Sequence, residues 1–284
     1  MDGRPLPFSV LAIDVGNTQT VFGLFRSDDA SGPVPGAVPI RTERQPTVPL
    51  RDPAGWTVVL TAFLGAGSNP PRPLAVAVTV LSSVVPAATP SLAAACLQLT
   101  GRDPILVTPA TCGLVLAIDR PDQVGADRLA CIAAVVGGFP VPAVVVDLGT
   151  ATTFSVADAR GRFIGGAICP GLATSANALH QAAAQLPRVD PADIPLDGLP
   201  ALGRTTEGCI RSGLVLGTAS LIEGMTRRFE AELGSPATLV VTGGWSRLVA
   251  PHLARPYRLD PDLLLKGLHA ISGRAIEQGG MNAP

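Results

Sequence analysis

The feature that most constrains this chain is written into it twice. Ile13-Asp14-Val15-Gly16-Asn17-Thr18 and Val146-Asp147-Leu148-Gly149-Thr150-Ala151 each run an apolar strand into an aspartate, one apolar residue, a glycine and a polar turn. The two aspartates lie 133 residues apart in a chain of 284, close to half its length. Asp, Gly and Asn favour turns for separate physical reasons, so a single copy is an ordinary hairpin. Two copies at half-chain spacing predict two similar lobes, each setting one aspartate at a strand tip that faces a shared cleft. Two unrelated hairpin turns are the plain alternative.

Around these turns, short apolar runs alternate with alanine-rich stretches, the pattern of an α/β protein. Val10 to Ile13 reads as a buried strand, paired with Thr20 to Phe25 across the first turn. Leu74 to Val80 and Ile105 to Thr108 read as strands, with a helix over Pro86 to Leu99 between them. In the second half, Ala143 to Val146, Thr153 to Ala157 and Arg162 to Ile168 read as successive strands, and Leu239 to Thr242 as a late one. Ser31 to Pro39 and Asn69 to Pro73 have loop composition. The region from Asp119 to Asp122 marks the lobe boundary, giving lobes of residues 1–118 and 119–284, with the final helix able to pack back on the first.

Composition removes several function classes. With 21 basic and 22 acidic residues the formal charge is −1, so the basic excess of a nucleic-acid or membrane-surface binder is missing. One uncharged stretch, Cys131 to Val146, is broken by Gly137-Gly138, Pro140 and Pro142, whereas a membrane span needs about 20 apolar residues. The opening residues lack a cleavage pattern, so a cytoplasmic protein is expected. Five scattered cysteines without a CxxC pair support neither a zinc site nor a disulfide framework.

The repeated turns suit anions. Gly16 and Gly149 let backbone N–H groups approach a phosphate, and Asn17, Thr18, Thr20, Thr150, Thr152 and Thr153 add neutral donors. The GxxxxGK[ST] loop is absent, and Lys266 is the sole lysine. Phosphate charge would therefore be met by cations, with Asp14 and Asp147 as hard oxygen ligands for Mg²⁺ or a monovalent ion.

Gly125-Ala126-Asp127-Arg128, ahead of an apolar run that stops at Gly137-Gly138, reads as a helix start. Asp127 then sits in the first turn, where the helix dipole favours its ionised form. In a cleft such a carboxylate is a general base toward a hydroxyl; elsewhere it is a common helix-start residue. Gly203-Arg204-Thr205-Thr206-Glu207 precedes a long helical pattern that its threonines suit as caps. Gly165 to Gly171 reads as a strand-to-helix turn, and Gly243-Gly244 permits close backbone approach to a purine. His180, His252 and His269 fall in no triad or metal spacing and are read as structural or surface residues.

Together these segments resemble type III pantothenate kinase, a family of the acetate-kinase, sugar-kinase and actin superfamily. The resemblance is carried by Asp14 to Val21 with Gly23-Leu24-Phe25, Ser83-Val-Val-Pro86, Gly125 to Arg128, Asp147 to Thr153 and Gly165 to Gly171. Leu186 to Val189, Ser212-Gly213, Leu221 to Gly224 and Thr242-Gly-Gly244 complete it, in family order over nearly the whole chain.

The resemblance implies two ribonuclease-H-like lobes, duplicated mixed sheets flanked by helices, around a nucleotide cleft. It implies ATP-dependent phosphorylation of pantothenate to 4'-phosphopantothenate, the first step toward coenzyme A. Asp14, Val15, Gly16, Asn17, Thr18, Gln19, Thr20 and Val21 would bind the ATP phosphates, with Thr150 as second-lobe counterpart. Asp127 would take the proton of the attacking hydroxyl. Gly125, Ala126, Asp127, Arg128 and Thr206 would line the pantothenate pocket. Asp147 would hold a monovalent cation, K⁺ or NH₄⁺, besides the Mg²⁺ that accompanies ATP. The family is dimeric, with pantothenate close to the subunit interface.

Ile118 stands where the family usually has a tyrosine, and Arg120 where an asparagine precedes the proline, so substrate contacts there would differ. A non-catalytic regulatory protein on the same fold would be expected to lose one of the three acids. A sugar or acetate kinase would lack the Gly-Ala-Asp-Arg helix start.

Overall fold

A computed structural model describes residues 8–27, 36–65, 75–183 and 185–279. The first half contains β1 (Phe8–Val15), β2 (Gln19–Ser27), β3 (Arg41–Pro46), α1 (Pro53–Gly65), β4 (Val78–Ser83), α2 (Thr89–Thr100), β5 (Ile105–Leu106) and α3 (Ala126–Gly138). The second contains β6 (Ala143–Leu148), β7 (Ala151–Ala157), β8 (Phe163–Pro170), α4 (Leu172–Ala182), α5 (Thr206–Leu233), β9 (Thr238–Thr242), α6 (Ser246–Val249), β10 (Arg258–Leu259) and α7 (Leu263–Gly279).

The strands form two five-stranded sheets, ordered β3-β2-β1-β4-β5 and β10-β9-β6-β7-β8. Numbered from its own first strand, each sheet reads 3-2-1-4-5. In both, the first three strands are antiparallel and the fourth and fifth are parallel to the first. This is the ribonuclease-H-like order, built twice. The chain forms two compact units: Met1–Gly138 with Asp262–Pro284, and Phe139–Pro261.

In the first unit β1 is apolar on both faces because both are covered. Leu11, Ile13 and Val15, with Phe22, Leu24 and Leu81, bury against Trp56, Leu60 and Phe63 of α1 and Leu92 of α2. A fully buried Leu or Phe of this kind contributes about 1.5–3 kcal/mol over its exposed state. The opposite face carries α7, which packs on β1, β4 and α3. Gly23 makes room for Leu265 of α7, since a Cβ there would stand 2.9 Å from Leu265 Cδ1. Gly267 of α7 lies against the Ala130 backbone of α3, a crossing too close for any side chain.

The division drawn from sequence at 118/119 puts α3 with the second half, whereas its contacts with α7 and β4 group it with the first. Sequence periodicity passed over β3 and α1. β3 is an edge strand of sequence RTERQP that alternates between half-buried and exposed, so it offers no apolar run. Gly165 to Pro170 is not a strand-to-helix turn. It continues β8, and only Gly171 turns into α4. Residues 31–35 and 69–73 of the two loops named from composition, and Leu74, lie outside the described residues.

In the second unit, Val144, Val146, Leu148, Phe154 and Val241 pack against Leu172 and Ala176 of α4 and Leu214, Val215 and Ile222 of α5. Thr205 caps the 28-residue α5 by accepting from Gly208 N at 3.0 Å. Among the described residues no helix is long and apolar enough to cross a membrane.

Candidate active site

The first of the repeated turns links β1 to β2. Val15 pairs with Thr20, and Gly16 N donates to Gln19 O at 3.0 Å. Asn17, Thr18 and Gln19 are exposed at its tip, while Thr20 is buried. Asp14 is the last polar group of β1 before this turn. The parallel strand β4 sets Ser82 in register beside it, and Ser82 Oγ donates to Asp14 Oδ1 at 2.8 Å.

The second of the repeated turns links β6 to β7. Leu148 pairs with Thr152, and Gly149 N donates to Ala151 O at 3.0 Å. Asp147 occupies the place Asp14 holds in the first unit, and its parallel neighbour β9 sets Thr242 beside it. Thus each turn aspartate has a hydroxyl residue in register on the fourth strand of its sheet. The turns differ by one residue. Gln19 pairs with Pro46 and Ala151 with Pro170, so Thr18 and Thr150 are equivalent and Asn17 is extra in the first turn.

Gly243, at φ 92°, lies against Asp147; a Cβ there would collide with Asp147 Oδ1 and the Leu148 backbone. Within its own unit each aspartate offers a carboxylate beside an in-register hydroxyl residue, Ser82 for Asp14 and Thr242 for Asp147, and such oxygen donors suit hard cations such as Mg²⁺ and K⁺. No cluster of three or more His, Cys, Asp or Glu occurs among the described residues, so any cation here would lean on its anionic ligand for further oxygens.

Asp127 stands in the first turn of α3. Its Oδ1 accepts from Arg128 N at 2.8 Å and folds back over Gly125, where a Cβ would collide with it. Glycine at 125 is therefore what lets the carboxylate take this pose. Burial pushes the Asp127 carboxyl up from its ordinary value, outweighing the Arg128 amide and the Arg128 charge, which both pull it down. The helix-dipole argument, which favours ionisation, is thus overridden by desolvation. Burial also pulls the Arg128 guanidinium below its ordinary value.

Gly125 lies next to Val84, with its Cβ direction 3.6 Å from Val84 Cγ1, and Val84 N donates to Val15 O at 3.0 Å. The structure therefore brings Asp127 and Asp14 to the same end of β1 and β4 within one unit. Asp147 and Thr150 hold the matching end of the other sheet, and Thr206 is an exposed residue at the start of α5 in that unit. Arg120, one of the two departures, forms an exposed bidentate pair with Asp122, at 3.2 and 3.0 Å.

Sequence reading missed Ser82, Thr47 and Thr174. Thr47, just past β3, donates from Oγ1 to Gly16 O at 2.8 Å and from its backbone N to Thr18 O at 3.1 Å. Thr174 of α4 donates to Thr150 O at 2.7 Å, and Gly171 N donates to the same oxygen at 3.2 Å. None carries a motif of its own; the repeat of the turns was the only signal pointing to their surroundings.

The sequence profile of the type III pantothenate kinase family matches residues 10–228. The type III pantothenate kinase of Rhodospirillum centenum is 39% identical over 271 residues, covering 93% of this chain and 98% of that one. That of Thermus thermophilus is 38% identical over 265 residues, covering 92% and 98%. Among solved structures, a Baf family transcriptional activator of Campylobacter jejuni superposes with a TM-score of 0.55 at 18% identity, covering 95% of this chain and 98% of that one. The ethanolamine utilization protein EutJ of Carboxydothermus hydrogenoformans superposes at 0.50 and 17% identity, covering 95% and 92%. These two likenesses concern the fold alone.

Proposed function

Because this chain belongs to the type III pantothenate kinase family, and so phosphorylates pantothenate with ATP in coenzyme A synthesis, we propose that Asp127 is its catalytic base. The observation that carries this assignment is the pose of the carboxylate. It is partly desolvated, held by one backbone amide, and set at the end of β1 that also carries Asp14. A carboxylate whose proton affinity is raised by burial is a better proton acceptor than a solvated one.

In the reaction, Asp127 takes the proton of pantothenate's terminal hydroxyl as its oxygen bonds to the γ-phosphorus of ATP. The bond from phosphorus to the bridging oxygen breaks, and ADP leaves. Such a transfer relies on positioning and on charge stabilisation more than on covalent help from the protein. Asp14, Val15, Gly16, Asn17, Thr18, Gln19, Thr20 and Val21 act as the ATP-phosphate segment, with Thr150 in the second turn, offering backbone N–H groups and hydroxyls. Gly125, Ala126, Asp127, Arg128 and Thr206 contact pantothenate, and the Arg128 cation suits its carboxylate.

Mg²⁺ bound with ATP would supply neutralisation of phosphate charge, the task a lysine performs in P-loop enzymes. Asp14, steadied by Ser82, is the residue placed to hold it. Asp147 would hold a monovalent cation, K⁺ or NH₄⁺, a role supported by its carboxylate and by Thr242 abreast of it on β9. The enzyme works as a homodimer in the cytoplasm. Ile164 and Ile168, exposed along the edge strand β8, offer an apolar stripe for contact between subunits.

A coupled ATP assay with pantothenate against a panel of sugars and acetate tests the reading. Turnover confined to pantothenate is the expected result. Preference for a sugar or acetate, or no turnover at all, overturns it.

A further inference from the structure

We propose that Thr47 is a positioning residue for ATP, acting through the first phosphate turn, and that Thr174 does the same for the second. The inference rests on the assignment of these turns to ATP phosphates. Thr47 belongs to no segment that the sequence singles out, yet it is 0% exposed. Its backbone N donates to Thr18 O, and its hydroxyl donates to Gly16 O. With that proton committed, the Thr20 hydroxyl, 2.9 Å away, must donate to Thr47 Oγ1. The turn is thus fastened from behind at Gly16, Thr18 and Thr20 by one side chain and its own amide.

Such fastening decides which groups the turn presents outward. The C=O and N–H of one trans peptide point in opposite directions within one plane. A hydroxyl that pulls Gly16 O inward therefore aims the Asn17 N–H outward, toward the exposed tip where an anion would be met. The second unit repeats the backbone bond and places its hydroxyl on a different carbonyl of the turn. Gly171, equivalent to Thr47 by its place after the proline that ends the third strand, donates its amide to Thr150 O, and Thr174 adds the hydroxyl. Pulling Thr150 O back aims the Ala151 N–H in the same manner. Two unrelated local sequences each tie a turn carbonyl back with a threonine hydroxyl, which argues for a task beyond turn stability.

The test uses the full chain carrying Thr47→Val, which keeps the shape and removes the hydroxyl, Thr47→Ser, which keeps the hydroxyl, and Thr174→Val at an exposed site where folding is not at stake. Calorimetric binding of a non-hydrolysable ATP analogue with Mg²⁺ is measured first, then KM for each substrate. Thr47→Val and Thr174→Val are each expected to weaken analogue binding and raise KM for ATP about tenfold, as the loss of one net hydrogen bond would. KM for pantothenate should stay at the wild-type value, and Thr47→Ser should restore ATP binding.

Wild-type ATP affinity in folded Thr47→Val or in Thr174→Val overturns the proposal, as does an equal rise in both KM values or a serine variant no better than valine. If Thr47→Val does not fold, Thr174→Val decides alone. A wild-type chain that fails to bind the analogue overturns instead the assignment of the turns to ATP.

Discussion

Ser82 donates its hydroxyl hydrogen bond to Asp14 Oδ1 over 2.8 Å, from the residue directly abreast of it on the neighbouring parallel strand. Ser82 is fully buried, so the carboxylate leans on a group that has no freedom to follow it elsewhere. Replacing Ser82 by alanine leaves that oxygen short of a donor, and the cost of such a deletion is about 1–3 kcal/mol. The Ser82→Ala enzyme is expected to need more Mg²⁺ for half-maximal rate and to melt earlier. A Mg²⁺ titration of the rate identical to wild type would separate Ser82 from the metal-bearing acid.

Asp127→Asn should abolish turnover while leaving ATP-analogue binding largely intact; unchanged turnover would remove Asp127 as base. If Asp127 is the base it must be ionised, and the wild-type rate should then fall as pH drops through the raised Asp127 value, placing the acid limb above the ordinary carboxylate value. Stability runs the other way. A folded-state value above the unfolded one makes the contribution favourable at low pH, and it is lost as pH rises through the unfolded value to the raised one. The ionised side chain therefore costs stability at neutral pH, and Asp127→Asn should melt higher than wild type at pH 7. A lower melting temperature would show that the Arg128 amide bond outweighs the burial.

Exchanging K⁺ for Na⁺ at fixed ionic strength should depress the rate if Asp147 holds a monovalent cation, because hard oxygen sites discriminate by size and ligand number. Asp147→Asn should flatten that difference. Equal rates in the two salts would dismiss the cation role.

His269 of α7 stacks on Phe25 of β2, with ring centroids 4.4 Å apart and planes 23° from parallel. It is 6% exposed, and burial drives its pKa from 6.5 down to about 4. A folded value below the unfolded one means the contribution is complete above pH 6.5 and is lost as pH falls toward 4. The loss is bounded by about 3 kcal/mol. His269→Phe should flatten the melting temperature between pH 7 and pH 4.5; a variant that keeps the wild-type slope would place the acid sensitivity elsewhere.

The duplicated turns were legible because their chemistry is local: an apolar strand, an acid, a glycine and short polar residues must follow one another in sequence. The helix start at Gly125 was legible for the same reason, and the structure adds that Gly125 makes room for the folded-back carboxylate. Ser82, Thr47 and Thr174 were not legible. Each meets its partner across 24 or more positions, and a serine or threonine with such a task reads in sequence like any other. β3 escaped because an edge strand with polar side chains needs no apolar alternation to pair. The place of α3 escaped because its partner α7 lies at the other end of the chain, and a glycine such as Gly267 announces a close crossing only once Ala130 is seen beneath it.

That crossing sets an order of events during synthesis. The unit that carries Asp14 and Asp127 is made of the first 138 residues and a tail that starts at Asp262. While the ribosome is still translating the intervening stretch, the helix bearing Asp127 has no partner along its Gly267 seam, and the face of β1 that receives α7 lies open. The intervening stretch, Phe139 to Pro261, has both edges of its own sheet in hand before then and can fold first. Competence to catalyse therefore arrives late, with the last helix to emerge, and shortening that helix should reach the chemistry at Asp127 although the cut lies far from it in sequence.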